Sequence, residues 1–357
     1  MATDDWGGLL IREPSEELRN YAADLQSSIL GAGFLHIRLP RSGGKTTWAK
    51  IALLWGVVYG HLRYPVLFGA SDRLASSTLD DIWELLEFSP AFGEDFPEVA
   101  VPVRMLDGKF QRAQTQTVDG ERTAIRKTHD TIAFPRVAGS AASGAMISAR
   151  GAGAAVRGLV RGSTRPDFAL LDDIQTREDA LSAVTTGKLS DWIQGDVLGL
   201  AGARQMAVIM TSTPIVDGDL SSIYSDQARF PAWRTVSHPL VRRWPDAVDD
   251  WDTYADMWRD AMRDGDPAHR EATRYYEAHR ERMDAGASVF DPGAYDGRVE
   301  LSAIQHAVNL RLRGGEAAFE AEYQLNPPRL ATVVKLTAEQ VKAACNGAPR
   351  GVLPAGT

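Results

Sequence analysis

The sequence predicts an α/β fold in which a mainly parallel sheet is flanked by helices. Short apolar runs of the kind that form buried strands alternate along the chain with longer segments of helical periodicity. The composition is that of an ordinary folded protein, with 357 residues, of which 44% are hydrophobic and 24% are charged. A chain of this length can form one large core and a smaller subdomain.

Four apolar runs are predicted to be strands of this sheet. They are Phe34–Leu39, Val66–Ala70, Phe168–Asp173 and a run that starts near Met206. Apolar residues at helical spacing follow the first three runs. The three apolar faces consist of Trp48, Ile51, Ala52, Trp55 and Val58; of Leu74, Leu79, Ile82, Leu85 and Leu86; and of Leu189, Trp192, Ile193, Val197 and Leu200. Between the second and third runs we expect a hairpin turn at Asp119-Gly120 and a short strand, Thr131–Phe134.

The composition changes beyond Pro245, where charged helical stretches rich in Trp, Tyr and Arg begin. We therefore predict a core domain over 1–245 and a smaller, mostly helical subdomain over 246–330. The remaining residues, 331–357, are rich in Pro, Gly and Ala and are expected to be a tail or linker.

Charge is distributed unevenly along the chain, whose formal net charge is -8. Eleven basic and four acidic residues lie between Arg104 and Arg165, whereas twelve acidic residues and six arginines lie between Asp246 and Asp284. These segments are either solvated surfaces of opposite sign or, for the basic one, a contact region for nucleic acid. The single cysteine, Cys345, cannot form an internal disulfide, and no apolar run approaches the roughly 20 residues of a membrane span. A cytoplasmic protein is the expectation.

The segment LPRSGGKTT, from Leu39 to Thr47, has the composition of a phosphate-binding loop. Gly43 and Gly44 can present backbone N–H groups to phosphate oxygens, Lys45 can bind the outer phosphates, and the Thr46 hydroxyl can bind Mg²⁺. Leu39 stands where the strict pattern has its first glycine. The alternative is a glycine turn capped by a threonine hydroxyl. Because the loop lies between a strand and a helix, we predict nucleotide binding by a P-loop NTPase fold of the RecA/ASCE-like type.

Paired carboxylates follow the third predicted strand, where such an enzyme needs them. Asp172 is placed to hold Mg²⁺ and Asp173 to orient the attacking water. Aspartate is one methylene shorter than the glutamate that many such ATPases carry there. Glu178 is therefore kept as a second candidate for the base. The alternative for the aspartate pair is a helix N-cap.

Four segments, in order, carry a resemblance to a known family: PRSGGKTT, AAVRGLVRGSTRPDFALLDDIQTRED, IMTSTP and FEAEYQLNPP. Together they resemble phage terminase large subunits, the ATP-driven motors that thread viral DNA into a preformed capsid. The resemblance extends from about Leu35 to about Pro328, and the first three segments match the ATPase domain of that family.

The resemblance implies roles for individual residues. Arg41 matches an arginine that many terminases carry inside the loop, and it is a candidate for nucleotide binding and catalysis. The loop residues that would bind ATP are Arg41, Ser42, Gly43, Gly44, Lys45, Thr46 and Thr47. Thr46 and Asp172 would hold Mg²⁺, and Asp173 lies where many members have the catalytic glutamate.

Two further roles follow from the resemblance. Thr211-Ser212-Thr213 is similar to the coupling motif, in which Thr213 would sense the γ-phosphate. Arg157, in a loop of small residues before the third strand, would reach the γ-phosphate of a neighbouring subunit; Arg150 and Arg161 are rival candidates.

The family also implies partners. These are double-stranded DNA, the portal protein and procapsid, a small terminase subunit, and further copies of the chain in a ring on the portal; alone, the chain is expected to be a monomer. No membrane partner is expected, and the location would be the cytoplasm of the infected bacterial host. DNA would contact the basic stretch from Arg104 to Arg136, a placement that charge reversal at Arg122, Arg126 and Lys127 would test.

Terminases carry a nuclease domain after the ATPase region, and the 29 residues after Pro328 are too few for one. We therefore expect an ATPase fragment or a split motor subunit, without nuclease activity. The competing functions are another P-loop nucleic-acid remodeller, such as a helicase, and a nucleotide-gated adaptor with negligible hydrolysis.

Overall fold

The computed structural model describes residues 14–109 and 113–327. Arg112, Cys345 and the predicted tail over 331–357 lie outside the described residues. The strands are β1 (Phe34–Arg38), β2 (Pro65–Gly69), β3 (Thr117–Val118), β4 (Glu121–Arg122), β5 (Arg126–Thr128), β6 (Thr131–Ala133), β7 (Met146–Gly151), β8 (Phe168–Asp172), β9 (Ala207–Ser212), β10 (Trp233–Ser237), β11 (Val241–Arg243) and β12 (Ser288–Val289).

The helices alternate with these strands in the first part of the chain and dominate the last part. They are α1 (Glu16–Gly31), α2 (Lys45–Val58), α3 (Asp72–Phe88), α4 (Pro90–Asp95), α5 (Pro97–Arg104), α6 (Arg177–Ala180), α7 (Ala183–Trp192), α8 (Leu220–Ser225), α9 (Val248–Arg263), α10 (Arg270–Asp284), α11 (Ala303–Gly314) and α12 (Glu316–Glu322). A π-helical turn, Ile193–Val197, continues α7. Within the described residues, no helix is both long and apolar enough to cross a membrane.

Eight strands form the central sheet in the order β10-β1-β9-β8-β2-β7-β6-β5. The six strands from β10 to β7 pair in parallel, and β6 and β5 extend one edge in antiparallel. Because parallel strands end at the same edge of a sheet, the carboxyl ends of β1, β9 and β8 lie side by side. The predicted α/β fold, with a mainly parallel sheet flanked by helices, is confirmed.

Each face of the sheet is covered by its own hydrophobic cluster. One cluster packs α1, α2, α3 and α5 against one face, and the other packs α7 and α8 against the opposite face. A third cluster joins α9, α10, α11 and α12 around Trp251, Tyr254 and Tyr276. This helical part contacts the core through α12, and the domain boundary near residue 245 stays a prediction.

The predicted strands all form, and the Asp119-Gly120 turn closes the β3–β4 hairpin with left-handed backbone at both residues. The predicted apolar face of α2 is buried, and the helix is buried on its other sides as well, since it lies between the sheet and α1. One residue of the predicted α3 face differs from the prediction. Leu74 is 47% exposed because it lies in the first turn of α3, at the rim of the sheet.

Candidate functional site: a phosphate-binding loop at the carboxyl edge of the sheet

The loop between β1 and α2 turns at Ser42 and Gly44, which have φ angles of 61° and 78°. A Cβ atom at Gly43 would lie 3.0 Å from the Pro40 carbonyl oxygen, so glycine permits the close approach of the backbone there. Leu39, at the position of the missing glycine, is fully buried, and its backbone N–H bonds to the Ser212 carbonyl. Here the chain continues the sheet instead of turning, so no glycine is needed.

Lys45 begins α2 and extends toward the neighbouring strand ends. Its Nζ atom lies 2.8 Å from Oδ2 of Asp173 and 2.5 Å from Oγ1 of Thr213. The lysine side chain is only 12% exposed, whereas that of Asp173 is 47% exposed. The structure thus brings together the predicted phosphate lysine, the predicted base and the predicted γ-phosphate sensor.

Asp172, at the end of β8, has a different set of partners. Its carboxylate accepts hydrogen bonds from the hydroxyls of Thr211, at 2.6 Å, and Thr46. Burial raises the pKa of Asp172, and the neighbouring Asp173 carboxylate raises it further. A nearby cation would therefore stabilise the charged form of the Asp172 carboxylate. Mg²⁺ commonly takes one or two protein oxygens, completed by water and phosphate, and the adjoining Thr46 hydroxyl and Asp172 carboxylate fit that requirement.

Asp173 has a left-handed backbone, with a φ angle of 44°, although it is not glycine. Its N–H bonds to the Thr211 carbonyl, which continues the β8–β9 ladder by one residue. The left-handed backbone of Asp173 directs the Asp173 carboxylate to Lys45. The Asp172 carboxylate points instead to Thr46 and Thr211. Consecutive aspartates therefore serve two different positions of the site.

The Thr211–Thr213 triplet connects the loop to the interior. The Thr213 hydroxyl donates to the Leu39 carbonyl, and the Ser212 hydroxyl lies 2.8 Å from Nε2 of the fully buried His36. Burial lowers the pKa of His36 to about 3, with the Arg38 charge adding to the effect, so this imidazole is neutral. The histidine joins the triplet to β10 through a contact with Thr235.

Two clefts adjoin the loop and share Arg41 as a lining residue. The first, of about 470 Å³, is lined by Lys45, Asp173, Thr213 and residues of α12. The second, of about 460 Å³, is bordered by loop residues Pro40 to Gly44 and by apolar side chains. Those side chains belong to Leu18, Trp48, Leu240, Phe290, Leu310 and Tyr323. Arg41, Asp291 and His306 also line the second cleft, which is otherwise mainly apolar, whereas five charged side chains line the first.

Arg41 lines both clefts and is held by the helical part of the chain. Its guanidinium lies 3.0 Å from Oε2 of Glu322, and its backbone N–H bonds to the Glu322 carbonyl. The arginine side chain is 67% exposed. The segment FEAEYQLN thus reaches the loop through Glu322.

The remaining predicted site residues lie farther from these contacts. Glu178 is exposed in the one-turn helix α6 and lines neither cleft. Arg157 is 82% exposed and pairs with Asp196 of the π-helical turn. Arg150 pairs with Asp130 at 2.6 Å, and Arg161 lies in a third cleft, at the opposite edge of the sheet. Arg150 and Arg157 both form ion pairs. The Arg157 side chain is the more exposed of the two, at 82% against 24%.

The basic stretch differs in part from the prediction. Lys127 is only 10% exposed and pairs with Asp80, and the Arg104 guanidinium donates to the carbonyls of Glu87 and Ser89. These two side chains are committed to contacts within the chain, and the DNA contact of the stretch stays a prediction. Arg122 and Arg126 are exposed, as predicted.

Sequence reasoning missed three contributors to this site. Tyr21 of α1 donates to the Lys45 carbonyl, His36 supports the triplet, and Glu322 holds Arg41. Burial and the two aspartates raise the pKa of Tyr21 well above its usual value. Only Glu322 had a signal, since it lies in a segment that carries the family resemblance.

The structure is similar to solved structures of phage large terminases. One is a mutant ATPase domain of the Thermus phage P74-26 large terminase, with 12% identity, a TM-score of 0.43, and coverage of 91% of this chain and 99% of that one. Another is the bacteriophage HK97 large terminase, with 16% identity and a TM-score of 0.37 over 78% of this chain and 52% of that one. The chain therefore spans about half the length of the HK97 protein.

These structures are of the class that the sequence motifs resemble. No family model matches the chain, and no curated protein matches it. The function proposed below therefore rests on the geometry of the site.

Proposed function

We propose that the chain is an ATP-hydrolysing motor subunit that moves double-stranded viral DNA into a procapsid. The observation that supports it most is the meeting of Lys45, Asp173 and Thr213 beside the Asp172–Thr46 pair. A phosphate-binding lysine, a metal-binding pair and a carboxylate for the attacking water are the parts that ATP hydrolysis requires.

In this proposal the phosphates of ATP lie along the loop from Leu39 to Thr47, over the start of α2. They take Lys45 away from Asp173, because a multiply charged phosphate is a stronger partner than one half-exposed carboxylate. The Asp173 carboxylate is then free to orient a water and accept its proton. Thr213, already bonded to Lys45, registers whether the lysine is held by phosphate.

Thr46 and Asp172 would hold Mg²⁺, which neutralises charge on the phosphate oxygens when it is bound. The Thr211 hydroxyl fixes the orientation of the Asp172 carboxylate from the other side. The base and ribose would occupy the apolar cleft against Trp48 and Phe290. Phosphates and base would thus lie on opposite sides of Arg41.

The partners follow from the motor role. We propose double-stranded DNA, a portal and procapsid, a small terminase subunit and a ring of identical chains, in the cytoplasm of an infected bacterium. Arg157, whose side chain is 82% exposed and pairs with Asp196, would act on the phosphates of the next subunit.

The experiment is ATP hydrolysis with Mg²⁺, measured as phosphate release with and without double-stranded DNA. A translocating motor hydrolyses ATP and is stimulated by duplex DNA without separating its strands. Strand separation would indicate a helicase, and ATP binding without phosphate release would indicate an adaptor. The absence of ATP binding would refute the proposal.

A further inference from the structure

A cleft of about 390 Å³ lies near the amino ends of the parallel strands, whereas the phosphate-binding loop lies at their carboxyl ends. It is formed where β2, β7 and β8 begin and where β6 ends. Its apolar lining includes Tyr64, Phe134 and Met146, each under 10% exposed, so the floor is part of the packed core. The nucleotide site is at the other end of the same strands, so this cleft is a separate feature.

Arginines form the rim of this cleft. Arg63, Arg136 and Arg161 all line it and all are exposed, and they come from three separate segments of the chain. No aspartate or glutamate is among the described residues that line it. In a chain of net charge -8, this local excess of positive charge is unusual.

The three arginines are held differently. The Arg63 guanidinium donates to the carbonyls of Ala141 and Ser143, at 2.9 and 2.6 Å, which orients it without an ion pair. Among the residues that the structure describes, the guanidinium groups of Arg136 and Arg161 have no hydrogen-bonding or ionic partner. One fixed and two unpaired guanidinium groups therefore face one space.

The Asp167 carboxylate lies near the rim, beside Arg63. Its two oxygens accept hydrogen bonds from the backbone N–H groups of Arg63, at 2.6 Å, and Tyr64, at 3.0 Å. The carboxylate is thus occupied by backbone donors, and it favours a fixed position of Arg63. It leaves the charges of Arg136 and Arg161 free for an external anion.

We propose that this arginine-rimmed cleft binds phosphate groups of a nucleic acid backbone. Guanidinium groups match phosphate oxygens with two parallel hydrogen bonds, and exposed arginines bind them reversibly and with strong salt dependence. The backbone source is favoured because Arg136 continues the segment that carries the exposed Arg122 and Arg126. The inference rests on the DNA partner of the proposed function and assigns it a surface.

The test is fluorescence anisotropy of a labelled random-sequence 20-base-pair duplex with the full chain, over a series of salt concentrations. The variant is Arg136→Ala with Arg161→Ala. The matched control is Arg19→Ala with Arg274→Ala, two exposed arginines on α1 and α10. Both variants lose two positive charges, so only position distinguishes them. Their melting temperatures and their ATP turnover without DNA are measured in parallel.

The cleft variant is expected to bind the duplex about tenfold more weakly. The slope of log affinity against log salt should fall by roughly 2, since each phosphate contact contributes about 0.9. The control should match the wild type. Turnover of the control without DNA should match that of the wild type, because Arg19 and Arg274 line none of the three clefts.

Equal affinity and slope in the cleft variant and the wild type would overturn the inference, while leaving ATP hydrolysis intact. A duplex that fails to bind the wild type would overturn it together with the DNA part of the proposed function. Inorganic phosphate, titrated into the same chains, distinguishes the source. If the cleft variant loses phosphate binding but keeps duplex affinity, the cleft binds a free anion and the nucleic acid source is wrong.

Discussion

The two ends of the central sheet carry opposite kinds of polar chemistry. At the carboxyl ends of the strands, Lys45 bonds to both Asp173 and Thr213 within 2.8 Å and is largely buried. At the amino ends, Arg136 and Arg161 are exposed and face open space. Hydrogen bonds and an ion pair hold the groups at the carboxyl ends in place. The two arginine side chains at the amino ends are not held in this way by the residues that the structure describes.

This difference corresponds to two tasks. Hydrolysis requires groups held in place, because reorganisation during the reaction adds to the barrier. Repeated binding and release of a polymer requires contacts that are individually weak, as exposed charges are. The segment 152–167 runs between β7 and β8, from the first end of the sheet to the second. It carries Arg157 and Arg161, one for each task in our proposals.

Arg157→Ala is expected to produce the largest change. If the Arg157 guanidinium stabilises phosphate charge in a neighbouring subunit, its loss should lower turnover of the assembled chain by roughly 10³ to 10⁵. The measurement is phosphate release per chain against protein concentration, which should rise more than linearly for the wild type. Mixing Arg157→Ala with Lys45→Ala chains should restore part of the turnover, since mixed interfaces pair an intact loop with an intact arginine.

Arg161→Ala is the matched control for Arg157→Ala. Arg161 lies in the same connecting segment, but at the other end of the sheet. A loss below about tenfold for Arg157→Ala, or about 1.4 kcal/mol, together with turnover per chain independent of concentration, contradicts the role in trans.

Asp173→Asn is expected to lower turnover by about 10² to 10⁴, the range for removal of a general base. ATP should still bind, and more tightly than to the wild type, because Lys45 no longer has a carboxylate partner. Glu178→Gln should leave turnover within about twofold, since Glu178 lines neither cleft. Single-turnover hydrolysis and nucleotide titration separate the two effects. Normal hydrolysis in Asp173→Asn with loss in Glu178→Gln would move the base to Glu178.

Glu322→Gln is expected to have the smallest effect. It releases Arg41 from an exposed ion pair, which contributes at most about 1 kcal/mol. ATP affinity should therefore increase by no more than about fivefold, if Arg41 then binds phosphate. Glu316 lies on the same helix as Glu322 and pairs with Arg311 of α11, so Glu316→Gln is the control and should leave affinity unchanged. Weaker ATP binding in Glu322→Gln would show that Glu322 positions Arg41 instead of restraining it.

Much of the fold could be predicted because its inner strands are continuous apolar runs. β1, β8 and β9 lie at the centre of the sheet and are buried on both faces, which gives them a clear signal. β10 is an edge strand that is only partly buried. Because it contains polar residues, it does not form an apolar run that would predict a strand. α1 was missed although it has a Ser15 cap and apolar residues at helical spacing.

The candidate nucleotide site was predictable to the extent that its residues lie at strand ends. Asp172 ends a recognisable strand, Lys45 and Thr213 come after two others, and the sheet order brings the three together. The arginine-rimmed cleft had no such signal. Arg63 and Arg161 are distant in sequence and meet only because β2 and β8 pair in parallel. A pairing of this kind depends on packing over the whole sheet, which periodicity does not reveal.

The most direct test of the central claim compares Lys45→Ala with Lys50→Ala in ATP turnover with Mg²⁺. Both lysines lie on α2, have side chains that are 12% and 13% exposed, and pair with an aspartate, Asp173 and Asp81 respectively. They differ in position, since only Lys45 lies at the end of the loop. We predict that Lys45→Ala reduces turnover to background at an unchanged melting temperature, whereas Lys50→Ala keeps turnover within about twofold of the wild type. Wild-type turnover in Lys45→Ala would contradict the assignment of this loop as the ATP site.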